Sequence, residues 1–154
     1  RRVFLLRKIG YLIFLLIAAG WDLKKKEIPL WVYGIGMMMG ICSRFWGYFI
    51  LVEDISLGKI VFSLGIGGFL LLVSMLSREA VGIGDGIFFI VSGLHLEYQD
   101  NLRLFFYGLL LCGIYCLGIG VWGLLKNRNL YAMTIPFIPF LVPVGLWLVF
   151  FDET

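Results

Sequence analysis

The chain has 154 residues, 61% hydrophobic and 17% aromatic, with a mean hydropathy of +0.98, which is more apolar surface than one soluble core can bury. Its formal net charge of +3 comes from 13 basic and 10 acidic residues that gather between apolar runs, as at membrane edges, and form no basic stripe for phosphates. These features exclude a soluble domain and a nucleic-acid binder, and predict an all-α, polytopic membrane protein forming a single integral membrane domain over residues 1–154.

A helix needs roughly 17 to 25 apolar residues to cross about 30 Å of hydrocarbon, and six stretches qualify as spans. The first runs about Val3 to Trp21, with Arg7 and Lys8 placed to snorkel outward, and ends on Asp22. It carries no small-residue cleavage pattern, so it reads as a retained span and not a signal peptide. A polar loop, Leu23 to Glu27, leads to Ile28-Pro29, where proline suits the first turn of a second span, about Ile28 to Leu51. Arg44 interrupts that span late, which would bring its end nearer Ser43. The third span is about Ile60 to Met75.

The fourth begins in Val81-Gly82-Ile83-Gly84-Asp85-Gly86-Ile87. Gly86 to Leu96 is only eleven residues, about 16 Å of helix, so a helix that must reach the far side draws Asp85 into the membrane profile. A charge there costs roughly 2.5 to 3.5 kcal/mol on insertion scales, and stays only for a partner, water or a task. The surrounding glycines would permit non-helical turns and close backbone approach. The fifth span, about Leu104 to Leu125, holds five glycines for close helix packing. The sixth, about Tyr131 to Phe151, carries Pro136, Pro139 and Pro143, which must distort its helix. Short or broken fourth and sixth helices are therefore expected.

Six spans put residues 23–27, 77–85 and 126–130 on one side, with Lys24, Lys25, Lys26, Arg78, Lys126 and Arg128. The other side holds Glu53, Asp54, Lys59, Glu97, Asp100 and Arg103. The cation excess marks the first side as cytoplasmic, with Arg1, Arg2, Arg7 and Lys8 of the N-terminus as the exception. Asp22 and Asp85 then share that face. Two carboxyls sharing a site tend to hold one proton between them, so that one activates water while the other donates to the substrate. Helix termini would favour Asp85 as base and Asp22 as acid; the lysines after Asp22 pull the other way.

Asp22 followed by Ile28-Pro29, then Gly82-Ile83-Gly84-Asp85, then Ile135-Pro136-Phe137-Ile138-Pro139-Phe140 resembles the type IV prepilin peptidases, membrane aspartyl proteases with a GxGD motif. The resemblance implies that Asp22 and Asp85 are the catalytic pair, with Gly82, Gly84, Gly86, Pro29, Pro136 and Pro139 near the substrate. It further implies cleavage of the basic leader of prepilins or pseudopilins at the cytoplasmic face of a bacterial-type inner membrane, without cofactor or metal. Leu30 stands where the family often has asparagine, and Gly86-Ile87 replaces a frequent hydrophobic-lysine pair. No loop can hold the paired-cysteine domain of the methylating members, so the chain resembles the short, peptidase-only ones.

The plainer readings are an Asp85 ion pair with Arg78, solvated loop charges at Glu27, Arg78 and Glu79, and no role for His95. Cys42, Cys112 and Cys116 read as core packing, as do the methionines of Gly36-Met37-Met38-Met39-Gly40, whose glycines fit close helix contact. A non-catalytic scaffold of a pilus or secretion assembly, or a small proton-coupled transporter, is the alternative function.

Overall fold

The computed structural model describes residues 2–51, 57–77, 82–126 and 135–151; the loop charges read at Arg1, Glu53, Asp54, Arg78, Glu79, Arg128, Asp152 and Glu153 lie outside them. Every regular element among the described residues is helical: α1 (Arg2–Lys25), α2 (Leu30–Leu51), α3 (Leu57–Leu76), α4 (Ile83–His95), α5 (Tyr98–Leu125), then a 3₁₀ turn (Ile138–Phe140) running into α6 (Leu141–Phe150). Among the described residues two helices, Gly58–Leu76 and Tyr98–Leu125, are long and apolar enough to cross a membrane. They turn large side chains such as Phe62, Leu72, Leu117 and Leu124 outward, as lipid contact requires.

α4, apolar apart from Asp85, Ser92 and His95, is largely enclosed, with Ile83 at its start the one exposed residue. It packs on α1, α2, α3 and α5, most closely on α3, with Phe88, Phe89 and Val91 fully buried. Missing side chains allow that approach: a Cβ on Gly67 would strike the Ile90 backbone nitrogen, and one on Gly86 would lie 2.7 Å from Leu71 Cδ2. Close approach, and not an unusual turn, is what these glycines supply, since no described glycine has a positive φ. Gly36 and Gly40 serve the same end against Phe14 and Leu94. On α5 only part of the expected glycine packing forms: Gly108 meets Leu141, while Gly113, Gly118 and Gly120 face open space.

At 13 residues, about 20 Å long, α4 stops short of the roughly 30 Å a span needs. Its last carbonyls have no helical partner, and Arg44 supplies one. The Arg44 Nε donates to Leu94 O at 2.9 Å, and Nη2 donates to Leu96 O at 3.0 Å and Gly93 O at 3.3 Å. Arg44 therefore does not end α2, which continues to Leu51; the guanidinium reaches inward to the negative end of a neighbouring helix.

The two ends of the polar stretch between α4 and α5 are buried, while Glu97, Tyr98 and Gln99 between them stay exposed. Asn101 Nδ2 donates to Ser63 O (3.0 Å) and Phe89 O (3.3 Å), and its Oδ1 accepts from Ser92 Oγ (2.9 Å). His95 stacks on Phe14 and hydrogen-bonds Gly36 O through Nε2 (2.9 Å). Arg7 and Lys8 do not snorkel. Both are buried, Lys8 donating at 3.0 Å to Leu148 O, a carbonyl near the end of α6, and Arg7 lying 3.8 Å from Glu97. The cysteines and methionines are not core: Cys42 and Cys116 are exposed and Cys112 half-buried, and Met37, Met38 and Met39 face outward.

Candidate active site

At the opposite end of α4 two carboxyls meet one cavity. Asp22 lies in the last turns of α1, just past the apolar run that ends at Trp21. α1 stops because Lys26 takes a left-handed conformation (φ 54°), with its N–H still bonded to Asp22 O at 2.9 Å. Pro29 then opens α2, its carbonyl accepting from the Val32 N–H. Asp85 occupies the first turn of α4, just ahead of the apolar run from Gly86. Its N–H closes onto Gly82 O at 3.1 Å, and its side chain turns back towards Gly82, over the positive end of the helix.

Asp22 and Asp85 both line an open cavity of about 1110 Å³, larger than most small-molecule pockets. Its walls are Tyr33 and Leu30 from α2, Phe69, Leu70 and Val73 from α3, Phe105 and Leu109 from α5, and residues 135–138. Lys26 and Glu27 stand at the α1–α2 turn. Of the residues expected near a substrate, Gly82, Gly84 and Pro136 line the cavity, while Gly86, Pro29 and Pro139 do not. Gly86 is turned into Leu71 of α3, Pro29 caps the start of α2, and Pro139 is locked in the 3₁₀ turn.

The acids differ in setting. Asp22 is buried, and its Oδ2 accepts the Ile138 backbone N–H at 3.1 Å. Burial raises its pKa above the ordinary 3.8 while this donor, which favours the anion, works against the rise. Asp85 has no such donor among the described contacts; burial first, then the negative charge of Asp22, pushes it up to about 7. Although Asp22 ends α1, it rests against the start of the 3₁₀ turn, where the Ile138 N–H favours its anion. The two titrate as a linked pair.

Two members of the site were not legible in the sequence. The Ile138 N–H is a backbone donor in a proline-broken span, and the hint was that such a span leaves groups unpaired. Tyr33 sits in an apolar run with its hydroxyl donating to Gly84 O at 3.0 Å; the hint was a buried phenol that must find a partner. No cluster of metal-ligating side chains forms among the described residues. Residues 9–117, more than two thirds of the chain, match the model of the type IV leader peptidase family; no curated protein and no solved structure matches the chain.

Proposed function

This chain belongs to the type IV leader peptidase family, and from that premise we propose that it is a membrane-embedded aspartyl endopeptidase. Its substrates are prepilins or pseudopilins, from which it removes the leader peptide at the cytoplasmic face. The domain is the whole of residues 1–154, with α1 to α6 as its six membrane-crossing or membrane-entering helices. One observation carries the reading: Asp22 and Asp85, far apart in the chain, line one cavity.

In the working state Asp22, as carboxylate, accepts a proton from a water while the protonated Asp85 donates to the scissile carbonyl oxygen. The water oxygen bonds to the carbonyl carbon to give a neutral gem-diol. Asp85, now the anion, takes a proton back from one hydroxyl as the C–N bond breaks and the proton held by Asp22 passes to the leaving amine. A carboxyl-ended leader and a new N-terminus result, and the pair regains its single proton. The apolar walls from α3 and α5 suit the hydrophobic helix that follows the cleavage point.

The test is purified protein in detergent with a prepilin. Wild type yields a shortened product; Asp22→Asn and Asp85→Asn each lose at least about a thousandfold in rate, the scale of losing an acid-base group, with folding intact. Undiminished cleavage by either variant overturns the dyad. Failure of the wild type to cut any prepilin favours the scaffold.

A further inference from the structure

Beyond the two acids, one polar side chain bridges the elements that carry them. Tyr33 lies in the first turns of α2, directly after the turn that follows Asp22, and is buried against the cavity wall. Its hydroxyl donates to the carbonyl of Gly84 at 3.0 Å. That carbonyl belongs to the same peptide unit as the Asp85 N–H, which donates to Gly82 O at 3.1 Å. The peptide plane just ahead of Asp85 is therefore held at both ends, by α4's own first turn and by α2.

Gly84 takes part in this contact. A Cβ there would lie 3.0 Å from the Tyr33 hydroxyl oxygen, closer than nearly all real contacts, so a side chain at residue 84 and the phenol compete for one space. The hydroxyl also lies near enough to both acids to feel the charge of each.

We propose that Tyr33 is a positioning residue for the acid pair, its hydroxyl fixing the Gly84–Asp85 peptide so that the Asp85 carboxyl is presented to Asp22 across the cavity. This rests on the protease reading above. A displacement of about 1 Å can cost on the order of a hundredfold in rate, and loss of a single orienting bond leaves a smaller freedom.

The experiment compares wild type, Tyr33→Phe, Gly84→Ala and the double variant in detergent. Tyr33→Phe is expected to lower kcat for a prepilin about tenfold, with KM within about twofold and the melting temperature of the folded protein nearly unchanged. Gly84→Ala is expected to be less damaging in the Tyr33→Phe background than alone, because removing the hydroxyl frees the space a Cβ needs.

A readout independent of cleavage is the infrared titration of the protonated carboxyl, assigned by its loss in Asp85→Asn; its midpoint is expected to move by about half a pH unit or more in Tyr33→Phe. A kcat within twofold of wild type in folded Tyr33→Phe, or an unmoved midpoint, overturns the proposal. Active Asp22→Asn or Asp85→Asn, or a wild type that cuts no prepilin, sinks the protease reading instead, and the infrared midpoint then decides the role of Tyr33 by itself.

Discussion

Replacing Asp85 by asparagine should stabilise the protein above neutral pH while abolishing its activity. Asp85 is pushed to about 7 from an ordinary 3.8, and a carboxyl raised on folding makes its contribution below the unfolded value and loses it as pH rises through the folded one. The gap is about three units, and at about 1.4 kcal/mol per unit the fold gives up about 4 kcal/mol between roughly pH 4 and pH 8. Asparagine fills the same space without ionising. For a chain of this size about 4 kcal/mol corresponds to roughly 8 to 16 °C in melting temperature, by the scaling of soluble domains. Melting followed by tryptophan fluorescence in detergent should show Asp85→Asn and wild type closest near pH 4, and the variant well above wild type near pH 8.5. A gap that does not grow with pH, or a variant that melts lower at pH 8.5, refutes the account of Asp85 as a proton-holding buried acid.

The same ionisations shape the rate. kcat against pH should be bell-shaped, with an alkaline limb near 7 as Asp85 loses its proton and an acid limb above the ordinary 3.8 as Asp22 gains one; a rate still rising beyond about pH 9 contradicts it. Gly67→Ala should cost about 1 to 3 kcal/mol, because the new methyl meets the Ile90 backbone, whereas Gly118→Ala, facing open space, should leave the melting temperature unchanged or slightly raised. Equal effects of the two would mean that α3 and α4 do not pack as described.

Features that depend on composition or local order were readable in the chain. The all-helical class, the short α4 and the broken last helix followed from apolar run lengths, from the eleven residues after Asp85 and from the prolines near residue 138. The order of motifs gave the family. What escaped were partnerships across the fold. Arg44, Arg7 and Lys8 looked like interruptions or snorkelling cations because nothing local showed the carbonyls of α4 and α6 that Arg44 and Lys8 meet, or the Glu97 carboxylate beside Arg7. His95 opened an apparently polar stretch, yet it is buried with a bond to distant Gly36, and Asn101 just past that stretch bonds Ser63 and Ser92. The cysteines and methionines read as core because lipid-facing and core-facing residues are equally apolar, so periodicity carries no contrast. Asp22 was assigned from its own helix, and its decisive neighbour lay 116 residues away.

That distance governs how the molecule is made. Asp22 leaves the ribosome early, and at about 5 to 20 residues per second the Ile138 amide follows roughly 6 to 23 seconds later. During that interval the first carboxyl lacks the donor that favours its anion, and the polarity of the pair is undefined. Ordering within the nascent chain thus ties the donor that favours the Asp22 anion to the arrival of residues 135–138, so the setting of Asp22 is complete only once that segment has packed against α1.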